Sequence, residues 1–159
     1  MSTKMMKTKI EHKLYVLVRT DLPSLNPGKA MAQVAHAANS LVAEWGDTFI
    51  VQAYSNKRHP FGTCIVLGVN KSTLVAVMKT AQSLERAIPW GLVVDETYPF
   101  NTSTEIAALI PKSCMTAPPI LKEENRVVLF RRELTCGYLL VADGSSDQAD
   151  LVGDLPLYQ

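Results

Sequence analysis

The chain has 159 residues, 47% of them hydrophobic, which is enough for one domain with a real core. A net charge of +1 gives no global basic field of the kind that marks nucleic-acid binding. No run is long and apolar enough to span a membrane, and no signal-peptide segment follows the N-terminal lysines.

Cys64, Cys114 and Cys136 are scattered and odd in number, which points to reduced thiols and a cytoplasmic setting. Charge is uneven along the chain. Lys4, Lys7, Lys9 and Lys13 crowd the N-terminus, whereas after Arg132 every charged residue is acidic. Residues 1–12 read as a flexible basic tail and 13–159 as a single domain, with any polyanion expected at the N-terminal half.

Leu14 to Arg19 is an apolar, β-rich run and reads as a buried strand. Pro23, Asn26, Pro27 and Gly28 break it. An Ala-rich helix follows, with Ala30, Val34, Ala37, Leu41 and Trp45 on one face and Lys29, Gln33, His36 and Ser40 as a polar stripe beside it. That stripe is either an ordinary solvated face or a ligand-facing one. A lysine in the first turn opposes the helix dipole, which favours a docked anion. Gly46 and Asp47 close the helix, and residues 48–54 extend it or form a short strand. Residues 55–62 read as a loop around Pro60.

Cys64 to Val69 is a second strand. Ser72 caps a second helix whose inner face carries Leu74, Val77, Met78, Ala81, Leu84 and Ile88, and Pro89 and Gly91 end it. Leu92 to Asp95 is a third strand, so the unit is strand, helix, strand with a right-handed parallel crossover. The expectation is an α/β fold: a mixed, mainly parallel sheet of about four strands with helices on both faces. Beyond Asp95 the residues from Tyr98 read as a loop, Thr104 to Ile110 as a short helix and Lys112 to Asn125 as irregular. Arg126 to Arg131 and Cys136 to Val141 read as two strands of a hairpin turning at Leu134 and Thr135, and Ser145 or Ser146 caps a last short helix.

Parallel strands bring Asp21, Lys29, Asp95 and Thr97 to one sheet edge, where ligands bind in open α/β sheets. Asp95 has two readings there, a site carboxylate or an Asx turn. His36, flanked by alanines, reads more readily as an interior histidine than as a catalyst. Trp45 and Trp90 read as core anchors. No nucleophile elbow, P-loop or dinucleotide fingerprint is present. His12, His36 and His59 lack metal spacing, so no metal and no cofactor is expected.

Arg19-Thr20-Asp21-Leu22, Gly28-Lys29, Ala32-Gln33 and His36-Ala37 resemble the opening of type 2 peptidyl-tRNA hydrolases, in order and without a gap from Gly28 to Ala37. The course from Ile65 to Asp95 and the ending Gly153-Asp154-Leu155-Pro156-Leu157-Tyr158 resemble the same superfamily. Past Asp95 the chain reads Glu96-Thr97-Tyr98-Pro99-Phe100 in place of that family's Asp-Ala-Gly and Thr-Gln pattern. Its middle and C-terminal half look more like a domain family of that fold with no agreed activity. The resemblance implies cleavage of the ester joining a peptide to the 3′ ribose of tRNA. It makes Lys29, Asp95 and Thr97 the catalytic candidates, and Arg19, Asp21, Gly28, Gln33, His36 and Thr104 substrate contacts. It also implies tRNA or another anionic ligand as partner and a homodimer, with no membrane and no DNA. The rival expectation is a non-catalytic module of the same fold that binds a small ligand or a protein.

Overall fold

Strand β1 (His12–Arg19) runs through the middle of the molecule, and its alternation splits the core in two. Leu14, Val16 and Val18 bury toward α1 (Pro27–Trp45) and α2 (Phe49–Tyr54), whereas Leu17 buries on the other side toward α3 (Lys71–Gln82). The computed structural model describes residues 11–23, 25–55, 62–84, 87–123, 125–142 and 145–159. Lys4, Lys7, Lys9, His59 and most of the loop expected at 55–62 lie outside them.

The sheet has five strands: β1, β2 (Thr63–Val69), β3 (Trp90–Ser103), β4 (Ala117–Glu123) and β5 (Arg126–Ala142). The spatial order is β2-β1-β5-β3, with β4 beside β5. Only β1 and β2 are parallel neighbours; β1–β5, β5–β3 and β4–β5 are antiparallel. The sheet is therefore mixed but less parallel than expected. The crossover rule holds in direction, because β3 runs the same way as β1 and β2. They are not neighbours, since β5 lies between β1 and β3.

The largest departures lie after Asp95. The expected loop from Tyr98 is the second half of β3, which pairs with β5 through Ser103. Pro99 is compatible with this because β3 is an edge strand, where a missing N–H breaks no ladder. The segment expected to be irregular holds a 3-10 turn (Lys112–Cys114) and β4, another edge strand, which accommodates Pro118 and Pro119. The expected hairpin is one long strand, β5. Leu134-Thr135 offers none of the Gly or Asn chemistry that a tight hairpin needs, and a register shift bends the pairing there without turning the chain. The outer half of β3, the first half of β5 and β4 form a three-stranded arm continuing from the core sheet.

Thr104 does open a short helix, α4 (Thr104–Leu109), and Ser146–Ala149 forms the last one, α5. Residues 49–54 form a separate helix capped by Thr48. Helix α3 is capped by Asn70, whose Oδ1 accepts from Thr73 N at 2.9 Å, and not by Ser72. Gly91 permits a close crossing, because a Cβ there would sit 2.5 Å from the Tyr138 ring. The chain end covers the outer edge of β2: Gly68 N donates to Pro156 O and Tyr158 N to Val66 O, both at 3.0 Å.

Candidate active site

Asn26 starts the site by starting the helix. Its Oδ1 accepts from Lys29 N at 2.9 Å and Pro27 opens the first turn, so Lys29 is fixed in the first turn of α1. The Lys29 side chain reaches β3, where Nζ lies 5.4 Å from the centre of the Tyr98 ring. Burial holds the Lys29 amine below the usual lysine value, Lys122 on β4 pushes it the same way, and Asp95 opposes both. The first-turn lysine thus has partners within the chain, an aromatic face and a carboxylate, and an anion is not needed to account for it.

One turn on, Gln33 is buried, 4% exposed, despite its place in a polar stripe. It is the bridge of the site. Gln33 Nε2 donates to Asp95 Oδ2 at 3.2 Å, and Gln33 Oε1 accepts from Thr135 Oγ1 at 2.6 Å. Thr135 is fully buried, and its Oγ1 also lies 3.2 Å from Val93 O. The other Asp95 oxygen, Oδ1, accepts from Thr97 N at 2.9 Å and lies 3.5 Å from Thr97 Oγ1. Both readings of Asp95 are therefore realised: one oxygen closes an Asx turn, the other faces the helix.

Two register shifts aim these groups. One falls between Val93 and Val94, opposite Thr135, and the other between Asp95 and Tyr98. Bulges of this kind rotate side chains out of strict alternation, and they recur next to binding sites. The Asp95 end of β3 thereby carries a carboxylate, a threonine and a tyrosine toward the first two turns of α1. From there an open groove of about 750 Å³ runs between α1 and β3, lined by Gln33, His36, Asn39, Ser40 and Ala43 on one side and by residues 92–97 on the other.

Lys29, Gln33, Asp95 and Thr97 are thus brought together, and Gly28 stands beside them at the helix start. His36 is exposed on the groove wall and is not interior. Arg19 and Asp21 are at the same sheet edge but on the opposite face. With Val18 facing α1, alternation turns Arg19 toward α3. There it is 6% exposed and binds Asp21 at 2.9 and 3.0 Å, Glu133 at 2.5 Å and Leu134 O at 2.9 Å. The Arg19 guanidinium holds the Asp21 carboxyl below the usual aspartate range, against an opposing push from burial. Thr104 lies nine residues past Asp95 along an extended strand, roughly 30 Å away, and is not part of the cluster.

Thr135, Tyr98 and Lys122 are the residues that reasoning from sequence missed. Thr135 and Tyr98 fall in segments whose local signals read as a turn and a loop, where two long strands pair. Cys136 Sγ donates to Gln33 O at 3.5 Å, and burial pushes this thiol up to about 12, so it is no nucleophile at neutral pH. Among the described residues no group of His, Cys, Asp and Glu is arranged to hold a metal ion, and no helix is long and apolar enough to cross a membrane.

The family model described as "Peptidyl-tRNA hydrolase PTH2" matches residues 12–128, from the first residue of β1 into the start of β5. The match takes in Lys29, Gln33, Asp95 and Thr97 and stops short of Thr135. No curated protein matches the chain.

Proposed function

The chain belongs to the peptidyl-tRNA hydrolase PTH2 family, and on that premise we propose that it hydrolyses the ester between a peptide and the 3′ ribose of tRNA. The observation that carries this reading is the Lys29–Gln33–Asp95 arrangement at the mouth of a groove. Ester hydrolysis needs a water deprotonated as it attacks, and a positive group facing the oxyanion that develops on the carbonyl. Asp95 is the proposed base. Gln33 and the Thr97 amide each hold one of its oxygens, which leaves further lone pairs for a water. Lys29 faces the oxyanion, and its lowered affinity for a proton also suits it to protonate the departing ribose oxygen. Gln33 is a positioning residue, itself fixed by Thr135. Lys29 and Lys122 together offer positive charge to the phosphates near the tRNA end. Three free cysteines fit a reducing, cytoplasmic setting.

A second reading keeps the groove without the chemistry. The Asx turn at Asp95–Thr97 is what a purely structural aspartate makes, and it favours a module that binds without cleaving. Release of peptide from N-blocked aminoacyl-tRNA by the purified protein decides between them. Turnover of the blocked substrate, with the unblocked one left intact, supports the hydrolase; binding without release supports the module.

A further inference from the structure

We propose that the groove between α1 and the outer edge of β3 seats the peptide part of the substrate, which adds to β3 as a short parallel strand. The identity of this ligand and its direction rest on the hydrolase reading above.

Among the described residues no strand pairs with the outer edge of β3, and the polarity of that edge can be read. Among the described strands β3 pairs with β5 alone. Leu140 N donates to Pro89 O at 2.9 Å, and with Trp90 opposite Leu139 and Leu92 opposite Gly137 this fixes the phase of the ladder. Alternate residues bond to β5, so Trp90 and Leu92 present their backbone groups away from it. Trp45 bears this out, since its indole Nε1 donates to Trp90 O at 3.1 Å from the α1 side. The opposite edge of the sheet, on β2, is covered by the chain's own Pro156–Tyr158 segment. An uncovered edge is a liability unless it is used.

The groove also has two ends. The Trp45–Trp90 hydrogen bond lies two residues beyond Ala43 and Leu92 at one, and Asp95 with Thr97 marks the other. From Leu92 to Asp95 is about 10 Å of strand, room for about three extended residues. The α1 wall offers His36, Asn39, Ser40 and Ala43, a polar and small-residue surface. Recognition by main-chain hydrogen bonds is what such a wall leaves, and it suits a peptide of any sequence. Because the scissile ester must lie at Asp95, the peptide's C-terminal end lies there, and the peptide runs in the same direction as β3.

The test is a length series of N-acetylated peptides of one to five residues, each joined to 3′-amino-3′-deoxyadenosine by an amide for equilibrium binding. The matching peptidyl-tRNA esters serve for cleavage. Affinity should rise with length by roughly three- to tenfold per strand hydrogen bond gained, and level off at about three residues. N-methylation should remove that gain at alternate residues only, because alternate amides face β3. Leu92→Pro deletes an outward N–H at an edge position and should abolish the gain; the length and N-methyl series on the unmodified protein stand without it. Binding indifferent to length and N-methylation, with cleavage intact, overturns the proposal and leaves the hydrolase reading standing. Length-dependent binding with no ester cleaved does the reverse. A Leu92→Pro protein that turns from dimer to monomer while its peptide affinity is unchanged assigns the edge to a second copy of the chain and also overturns the proposal.

Discussion

Replacing Thr135 with Val keeps the shape of the side chain and removes one hydroxyl. That hydroxyl is the donor to Gln33 Oε1 at 2.6 Å, between residues that are 0% and 4% exposed. A buried acceptor left without its donor costs about 1–3 kcal/mol. Taking about 2 kcal/mol, and about 2–4 °C per kcal/mol for a domain of this size, the melting temperature of Thr135→Val should fall by about 4–8 °C. A second effect follows at Asp95, since a Gln33 amide free to rotate no longer holds Asp95 Oδ2 at 3.2 Å. Under the hydrolase reading kcat should fall by about tenfold with KM little changed, the pattern of lost positioning. Calorimetric melts and ester-hydrolysis kinetics on the same preparation measure both. Thr135→Ser, which keeps the hydroxyl, should retain kcat even where the lost methyl lowers stability. A Thr135→Val protein that melts with the wild type and cleaves at its rate refutes the reasoning.

Asp95→Asn can still close the Asx turn to Thr97, so the fold should survive, whereas turnover should drop by about a hundred- to ten-thousandfold with substrate affinity nearly intact. A lower melting temperature with full activity per folded molecule makes Asp95 a turn residue alone. The pH limb of stability should trace to Asp21. Its carboxyl is held low in the folded state by Arg19, so its contribution is complete above the ordinary aspartate value and is lost as pH falls through the lowered one. Asp21→Asn should be less stable at neutral pH and should flatten the acid limb in urea titrations; an unchanged limb rules Asp21 out. We expect a symmetric dimer in solution, and sedimentation showing a monomer across a wide concentration range excludes it.

What the sequence made legible was set by local signals. The β1 run, the Pro27 start of α1 and the α3 face all carry clear periodicity, and each forms an element near its expected place. Lys29, Gln33, Asp95 and Thr97 came together because helix pitch and strand direction suffice to aim them at one edge. Arg19 and Asp21 lie at the expected edge but on the other face, which strand alternation decides once Val18 is known to face α1. The arm was not legible. Pro99, Pro118 and Pro119 argue against strands unless the strand is known to be an edge, and edge status is a property of the whole sheet. Thr135 stayed hidden for the same reason, since a bulge is defined by its pairing partner.

Lys29 tests the central claim most directly. The amine gains about 0.5–1 kcal/mol from the Tyr98 face, and its place in the first turn costs about 0.3–1 kcal/mol against the helix dipole. Lys29→Ala should therefore melt within a few degrees of the wild type. Hydrolysis of N-blocked aminoacyl-tRNA by the two proteins, measured side by side on folded material, should show release by the wild type and none above background by Lys29→Ala. Equal release by both contradicts the account, because the ester would then be cleaved without the cation on which the site is built.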